Sequence, residues 1–338
     1  MSNIKDVAKL AGVSIASVSR YLNNPEIVKP FTRTGIQDAI VQLNFRPSAI
    51  AQSMRNQSSR YIALVLEEIS NPFYTEVLNG AEECALKNGY SIVVLNINKD
   101  LNKKMLYNDI VFRRGFVGVI YCFSMVESDE KILNNLKKKD IHFALIENEM
   151  FKDKFLCINT NNYKAGYDGT QYLIEKGHKK IAFIGFNRFS DQINMRKKGY
   201  LDALKKYSIK GEPCLIYETD LSVDGGVKIA EMLKQNIKDY TAIFCCSDTI
   251  AIGVIKYFHK NGIKVPSDIS ILGFDDIEWS KIVDPELTTM HQRKQELGYK
   301  AVEKIISLID KNKKQKSIIL DAEIVERESV RDISLKVK

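Results

Sequence analysis

The chain carries no signature of catalysis. GxxxxGKS/T, HExxH and GxSxG are all missing from its 338 residues, and its four histidines (142, 178, 259 and 291) stand apart from any nucleophile-like motif. Asp275 and Asp276 are adjacent acids in a strand-end pattern, where neighbouring carboxylates point apart instead of cooperating in proton transfer. Six cysteines (84, 122, 157, 214, 245 and 246) are scattered without metal-ligand spacing, and the adjacent pair lies inside an apolar run. They read as reduced, buried small hydrophobes, so no metal, cofactor or disulfide framework is expected. No stretch reaches the ~18 apolar residues that a membrane helix needs, and the N-terminus lacks the apolar core of a leader peptide. A cytoplasmic chain that is not an enzyme and has no membrane partner is the expectation.

What is present is a globular composition with an uneven charge. Hydrophobic residues make up 45% of the chain, and its length suits two or three domains. The formal net charge is +8, and residues 1–60 supply +5 of it from eight basic and three acidic side chains. So concentrated a basic excess fits a phosphate-rich partner. Lysines at 137–139 and 311–316 read as solvated helix ends.

Residues 4–22, IKDVAKLAGVSIASVSRYL, spell two short helices across a tight turn. Val7, Ala8, Leu10 and Ala11 give the first an apolar face, Gly12 can leave it with positive φ, and Ser14 is a good N-cap for the second. On the second helix Val18 and Leu22 can pack inward, whereas Ala16 and Arg20 share another face with Ile15 and Ser17 beside them. A helix entering a major groove has this profile, slim near its N-terminus with an Arg able to grip guanine; an ordinary helical hairpin with a solvated Arg has it too. Residues 33–44 read as a third helix with Ile36, Ala39, Ile40 and Leu43 on one stripe. After Pro47, SAIAQSMR offers Ser48 as an N-cap for a helix too short to stand without a partner.

From residue 61 the pattern becomes alternating strands and helices. YIALVLE, SIVVLNI, VGVIYC, HFALIE, KIAFIG, AIFCCS and ISILGF are short apolar runs separated by amphipathic stretches such as 74–88 and 162–177. This alternation implies doubly wound parallel sheets covered by helices, with ligand contacts just beyond the strands. The segments to inspect are Ser70–Tyr74, Cys122–Ser124, Glu147–Glu149, Gly185–Arg188, Ser247–Asp248 and Gly273–Asp276.

The motifs IKDVAKLAGVS, VSRYLN, Thr32–Arg33 and LNFRPSAIAQSM, in this order and spacing, resemble the lactose-repressor (LacI/GalR) family. The resemblance runs over essentially the whole chain and implies a ligand-controlled DNA-binding regulator. It places Ile15, Ala16 and Arg20 at base edges, Ser14, Ser17 and Ser19 nearer phosphates, and Asn23, Arg33, Ser48 and Arg55 among further DNA contacts. Ala51 and Met54 would approach the central minor-groove step, Met54 standing where the family usually has Leu and Gln52 where some relatives carry Arg.

The implied fold is an all-α helix-turn-helix headpiece plus an α/β periplasmic-binding-protein-like core of two doubly wound parallel-sheet subdomains. The headpiece would span 1–47, the hinge helix and linker 48–60, and the core 61–338, with an N-subdomain of about 61–160 and 290–322 and a C-subdomain of about 161–289 and 323–338. Chain crossings are expected near 159–162, 287–293 and 320–324. The implied effector site lies between the lobes and comprises Asn71, Phe73, Tyr74, Arg196, Leu221, Ser247, Asp248 and Asp275. Arg196 and Asp275 would grip vicinal hydroxyls while Phe73 or Tyr74 covers an apolar sugar face. Leu221 stands where many relatives have an aromatic residue, Thr160 replaces a common Asp, and Ser247–Asp248 also suits an N-cap pair. Arg327 in VERES is expected to be structural, and no heptad tail follows, so a homodimer on pseudo-palindromic operator DNA is implied. The competing classes are a transport solute-binding protein, for which residues 1–60 have no use, a sugar-modifying enzyme, and a regulator answering a nucleobase or other non-sugar metabolite.

Overall fold

The computed structural model describes residues 3–45, 60–98, 100–113, 115–185, 190–209, 216–311 and 315–334. The chain divides into two compact units, 1–59 and 60–338.

Three helices build the described part of the first unit: α1 (Ile4–Leu10), α2 (Ile15–Asn23) and α3 (Pro30–Gln42). Asn3 caps α1 through a reciprocal capping box with Asp6, which satisfies two otherwise orphaned amides. Gly12 takes φ +64°, and the Ser14 hydroxyl then accepts the Ser17 amide at 3.1 Å to open α2. Val7, Ala8, Val18, Val28, Ile36, Ala39 and Phe45 form the core, with Leu22, Ile40 and Leu43 packed against it. α3 begins at Pro30, three residues before the expected start, because proline's fixed φ suits a first helical position where no amide bond is lost.

Among the described residues the second unit holds two six-stranded sheets of matching strand order. In the first sheet, β1 (Tyr61–Leu66) lies between β2 (Ser91–Asn96) and β3 (Gly118–Cys122), followed outward by β4 (His142–Ile146), β5 (Cys157–Thr160) and β11 (Ile318–Leu320). In the second, β6 (Ile181–Gly185) lies between β7 (Ile216–Glu218) and β8 (Ala242–Cys245), followed by β9 (Ser270–Asp275), β10 (Thr289–His291) and β12 (Glu323–Val325). β1 shows why such runs become central strands: Ile62, Ala63, Leu64, Val65 and Leu66 are buried on both faces, at about 1.5–3 kcal/mol for each large side chain.

Helices α4 (Pro72–Lys87), α5 (Leu101–Arg113), α6 (Glu130–Lys138) and α11 (Lys294–Lys311) accompany the first sheet in sequence or contact. Helices α7 (Asn162–Glu175), α8 (Asp191–Lys206), α9 (Val223–Leu233) and α10 (Asp248–Lys260) accompany the second. The chain passes between sheets at 160–162, 291–294 and 320–323. Two details depart from the expected layout. β12 pairs antiparallel with β10, since the last crossing is too short for a parallel return. Met290 and His291, expected in the N-subdomain, pair instead with Phe274 and Asp275 in the second sheet.

Candidate functional site

The headpiece presents α2 with its apolar face inward. Val18 is fully buried and Leu22 half-buried, whereas Ser14, Ile15, Ala16 and Arg20 are exposed and Ser17 and Ser19 partly so. The exposed set is narrow at the helix start and ends in a guanidinium, the shape a major groove admits. Arg33 is engaged elsewhere. Its Nη1 and Nη2 donate to the two Glu26 carboxylate oxygens at 3.2 and 3.1 Å, so a phosphate would have to displace a bidentate partner. The positions of Ser48, Ala51, Gln52, Met54 and Arg55, and the side chain of Asn23, lie outside the described residues.

In the second unit a cleft is lined by Asn71, Phe73, Tyr74, Arg196, Leu221, Ser247 and Asp275 from the expected set. Cys122, Phe123, Glu147, Gln192, Ile193 and Gln292 complete it. Asn71 and Phe73 arrive here because the Asn71 carboxamide caps α4, accepting the Phe73 amide at 3.0 Å, with Pro72 at the first helical position. The Phe73 and Tyr74 rings meet edge to face at 5.2 Å. Tyr74 turns its hydroxyl away to Glu67 at 3.1 Å, and burial beside that carboxylate pushes its phenol well up, so it remains a neutral donor.

Arg196 projects from α8 and is 5% exposed. Nε donates to Asn162 Oδ1 at 2.7 Å, Nη1 to the Cys246 carbonyl at 2.7 Å, and the guanidinium lies 3.5 Å from the centre of the Phe274 ring. Nη1 stands 3.9 Å from Asp275 Oδ1. That gap is beyond hydrogen-bond reach, so the opposed charges are not closed on one another and a ligand hydroxyl can serve both. Asp275 also accepts Gln292 Nε2 at 2.5 Å. Burial pushes its carboxyl up to about 6, with Arg196 and Lys294 opposing the rise. The cleft's charged lining is thus one guanidinium against the two carboxylates of Glu147 and Asp275.

Asp248 does not belong to the cleft. It is fully buried, its Oδ1 accepting the Thr289 hydroxyl at 2.6 Å and its Oδ2 the Ile277 amide at 2.9 Å. Its carboxyl is pushed well up by burial and then by Asp275. Room for it exists because residue 273 is glycine: a Cβ there would lie 2.2 Å from Asp248 Oδ1. Ser247 does cap α10, its hydroxyl accepting the Ile250 amide at 3.4 Å, and it also faces the cleft. Gln192 and Gln292 were not singled out in the sequence. Gln192 sits in the first turn of α8, and Gln292 directly follows β10, a three-residue strand outside the apolar runs read as strands in the sequence.

Residues 3–48 match the model of bacterial regulatory proteins of the lacI family, and residues 170–330 that of a periplasmic binding protein-like domain. The chain is 35% identical over 333 residues to the HTH-type transcriptional regulator RegA of Clostridium saccharobutylicum, covering 97% of this chain and 99% of RegA. The chain belongs to the LacI family. A solved Lac repressor dimer bound to operator and the anti-inducer ONPF aligns at TM-score 0.87 and 24% identity, covering 98% of this chain and 99% of that one. A LacI-family regulator from Enterococcus faecium with bound ribose aligns at TM-score 0.73 and 26% identity, covering 81% and 99%. This LacI-family protein is a DNA-binding transcriptional regulator and not an enzyme. Among its described residues no cluster of His, Cys, Asp and Glu could hold a metal ion, and no helix is long and apolar enough to cross a membrane.

Arg327, the expected structural residue, donates to Asp276 Oδ1 at 2.6 Å, Ser280 Oγ at 3.1 Å and the Leu287 carbonyl at 2.8 Å. Together with His291 this holds the Asp276 carboxyl below the usual carboxylate range against the effect of its burial. Asp275 and Asp276 do point apart, one to the cleft and one to this lock.

Proposed function

We propose that this regulator is a cytoplasmic repressor, working as a homodimer on a pseudo-palindromic operator and controlled by a neutral polyhydroxylated molecule, a sugar or sugar derivative, held in the Arg196–Asp275 cleft. The observation that carries the reading is the unclosed 3.9 Å pair of Arg196 and Asp275 with Phe73 lining the same cleft. Vicinal hydroxyls can donate to the carboxylate and accept from the guanidinium while the ring covers an apolar sugar face. Two carboxylates against one guanidinium, with no lysine in the lining, disfavour a phosphorylated ligand. The ribose-bound relative from Enterococcus faecium supports the same chemistry.

On DNA, Ile15, Ala16 and Arg20 of each protomer would read a half-site while Ala51 and Met54 approach the central minor groove. Effector binding would shift the lobes between two orientations by its differential affinity for them, and so the ease with which the hinges pair. A thermal-shift screen of neutral sugars, sugar phosphates and nucleobases tests the ligand class. A neutral sugar that stabilises the native protein and fails to stabilise Arg196→Ala is the expected result. Response only to a phosphate or a nucleobase, or an undiminished response in the variant, defeats it.

A further inference from the structure

Lys294 is the anomaly that the cleft leaves unexplained. It opens α11, where a cation faces the positive end of a helix, and its side chain is 0% exposed. Both placements are unfavourable for an ammonium unless acceptors surround it. They do. Nζ donates to the Asp275 carbonyl and, at 2.9 Å, to the Asp276 carbonyl, and stands 3.4 Å from Glu76 Oε1. Two hydrogen bonds to carbonyls and one charge pairing with a carboxylate thus surround the ammonium.

Those oxygens come from opposite walls. Glu76 belongs to α4, whose first turn supplies Asn71, Phe73 and Tyr74 to the cleft; the carbonyls belong to the end of β9, which supplies Asp275. Asp275 and Asp276 have φ of +114° and +55°, successive conformations that L-residues rarely adopt and that a surrounding network must maintain. This kink sends the Asp275 carboxylate toward Arg196 and Gln292 and the Asp276 carboxylate toward Arg327 and His291.

We infer that Lys294 is a positioning residue for the effector site: its ammonium maintains the Asp275–Asp276 kink and ties it to α4, so that the acid on one wall and the aromatic residue on the other are set as a unit. The inference rests on the cleft being the effector site, but its test uses no effector, so the two can fail separately. Asp275 is faced by Arg196, Lys294, Glu147 and Asp248. The chain's single tryptophan, Trp279, is four residues further on and 41% exposed, a built-in reporter of the turn.

The experiment is a pH titration of Trp279 emission in the full-length protein, paired with hydrogen exchange of segments 72–87 and 273–283. The Asp275 transition is assigned as the one that Asp275→Asn abolishes. In Lys294→Met its midpoint is expected to rise by about one pH unit or more, and exchange to quicken about tenfold in both segments while β6 and β8 stay protected. Glu76→Gln, a milder change at a partly exposed side chain, is expected to quicken exchange in 72–87 and keeps the idea testable should Lys294→Met not fold. An unmoved midpoint would show that the charge does not set Asp275. Loosening of only one segment in Lys294→Met, or full protection of 72–87 in Glu76→Gln, would refute the tie between the walls.

Discussion

Replacing Asp275 by Asn should make the ligand-free protein more stable and its cleft less competent. Burial pushes the native carboxyl up to about 6, against ~3.9 for an unfolded Asp. An acid raised in the folded state contributes stability fully below the unfolded value and loses it as pH rises through the folded one. That elevation, already net of the attraction to Arg196 and Lys294, corresponds to about 3 kcal/mol at pH 7.5, an upper bound because the buried Asp248 carboxyl beside it is pushed up as well. The variant should therefore gain about 1–3 kcal/mol at pH 7.5, and the gain should vanish near pH 4. Calorimetric unfolding of both proteins at the two pH values reads this as a melting temperature several degrees higher at neutral pH only. The same substitution removes a charged acceptor, which at about 1.5–3 kcal/mol weakens effector binding about 10- to 150-fold. A variant less stable at pH 7.5, or one whose advantage is unchanged at pH 4, refutes the reasoning.

Other consequences follow from single contacts. Gly273→Ala forces a methyl onto Asp248 and Leu287 in a buried strand and should lower stability by about 1–3 kcal/mol, measured by denaturant unfolding. His178 is buried with Nδ1 unpartnered among the described residues, and burial lowers its pKa; stability should fall as pH drops below about 6.5, a dependence that His178→Gln removes in thermal melts across that range. Arg20→Ala should cost about 1–3 kcal/mol of discrimination at one base pair of each half-site, read by competition among single-base operator variants.

Much of the fold was legible because it rests on periodicity. The faces of α2 follow from Val18 and Leu22 falling four apart, and β1 from an unbroken apolar run. Ends were less legible: Pro30 starts α3 earlier than its apolar stripe suggests, and the antiparallel edge strand β12 depends on how short the last crossing is. At the cleft, strand-end reasoning reached Phe73, Ser247 and Asp275, and Arg196 came from the family motif. It misplaced Asp248, because an N-cap pattern does not say which way the next carboxylate points; the space beside Gly273 decides that. Gln292 and Lys294 come into position only through the second crossing and Gln192 through the packing of α8, and a lysine within RKQELGYK reads as solvated surface until the tertiary fold encloses it. Arg33 pairs with Glu26 at a separation of seven residues across two elements, which local helix spacing does not reveal.

The central claim is that occupancy of the Arg196–Asp275 cleft controls DNA binding. The most direct measurement is operator affinity by fluorescence anisotropy, for the native protein and Asp275→Asn, across a panel of neutral sugars and their phosphates at fixed salt. The account predicts that at least one neutral sugar changes the native affinity about tenfold or more and that Asp275→Asn needs far more of it for the same change. Equal operator affinity with every neutral sugar, or an unaltered response in Asp275→Asn, would contradict it.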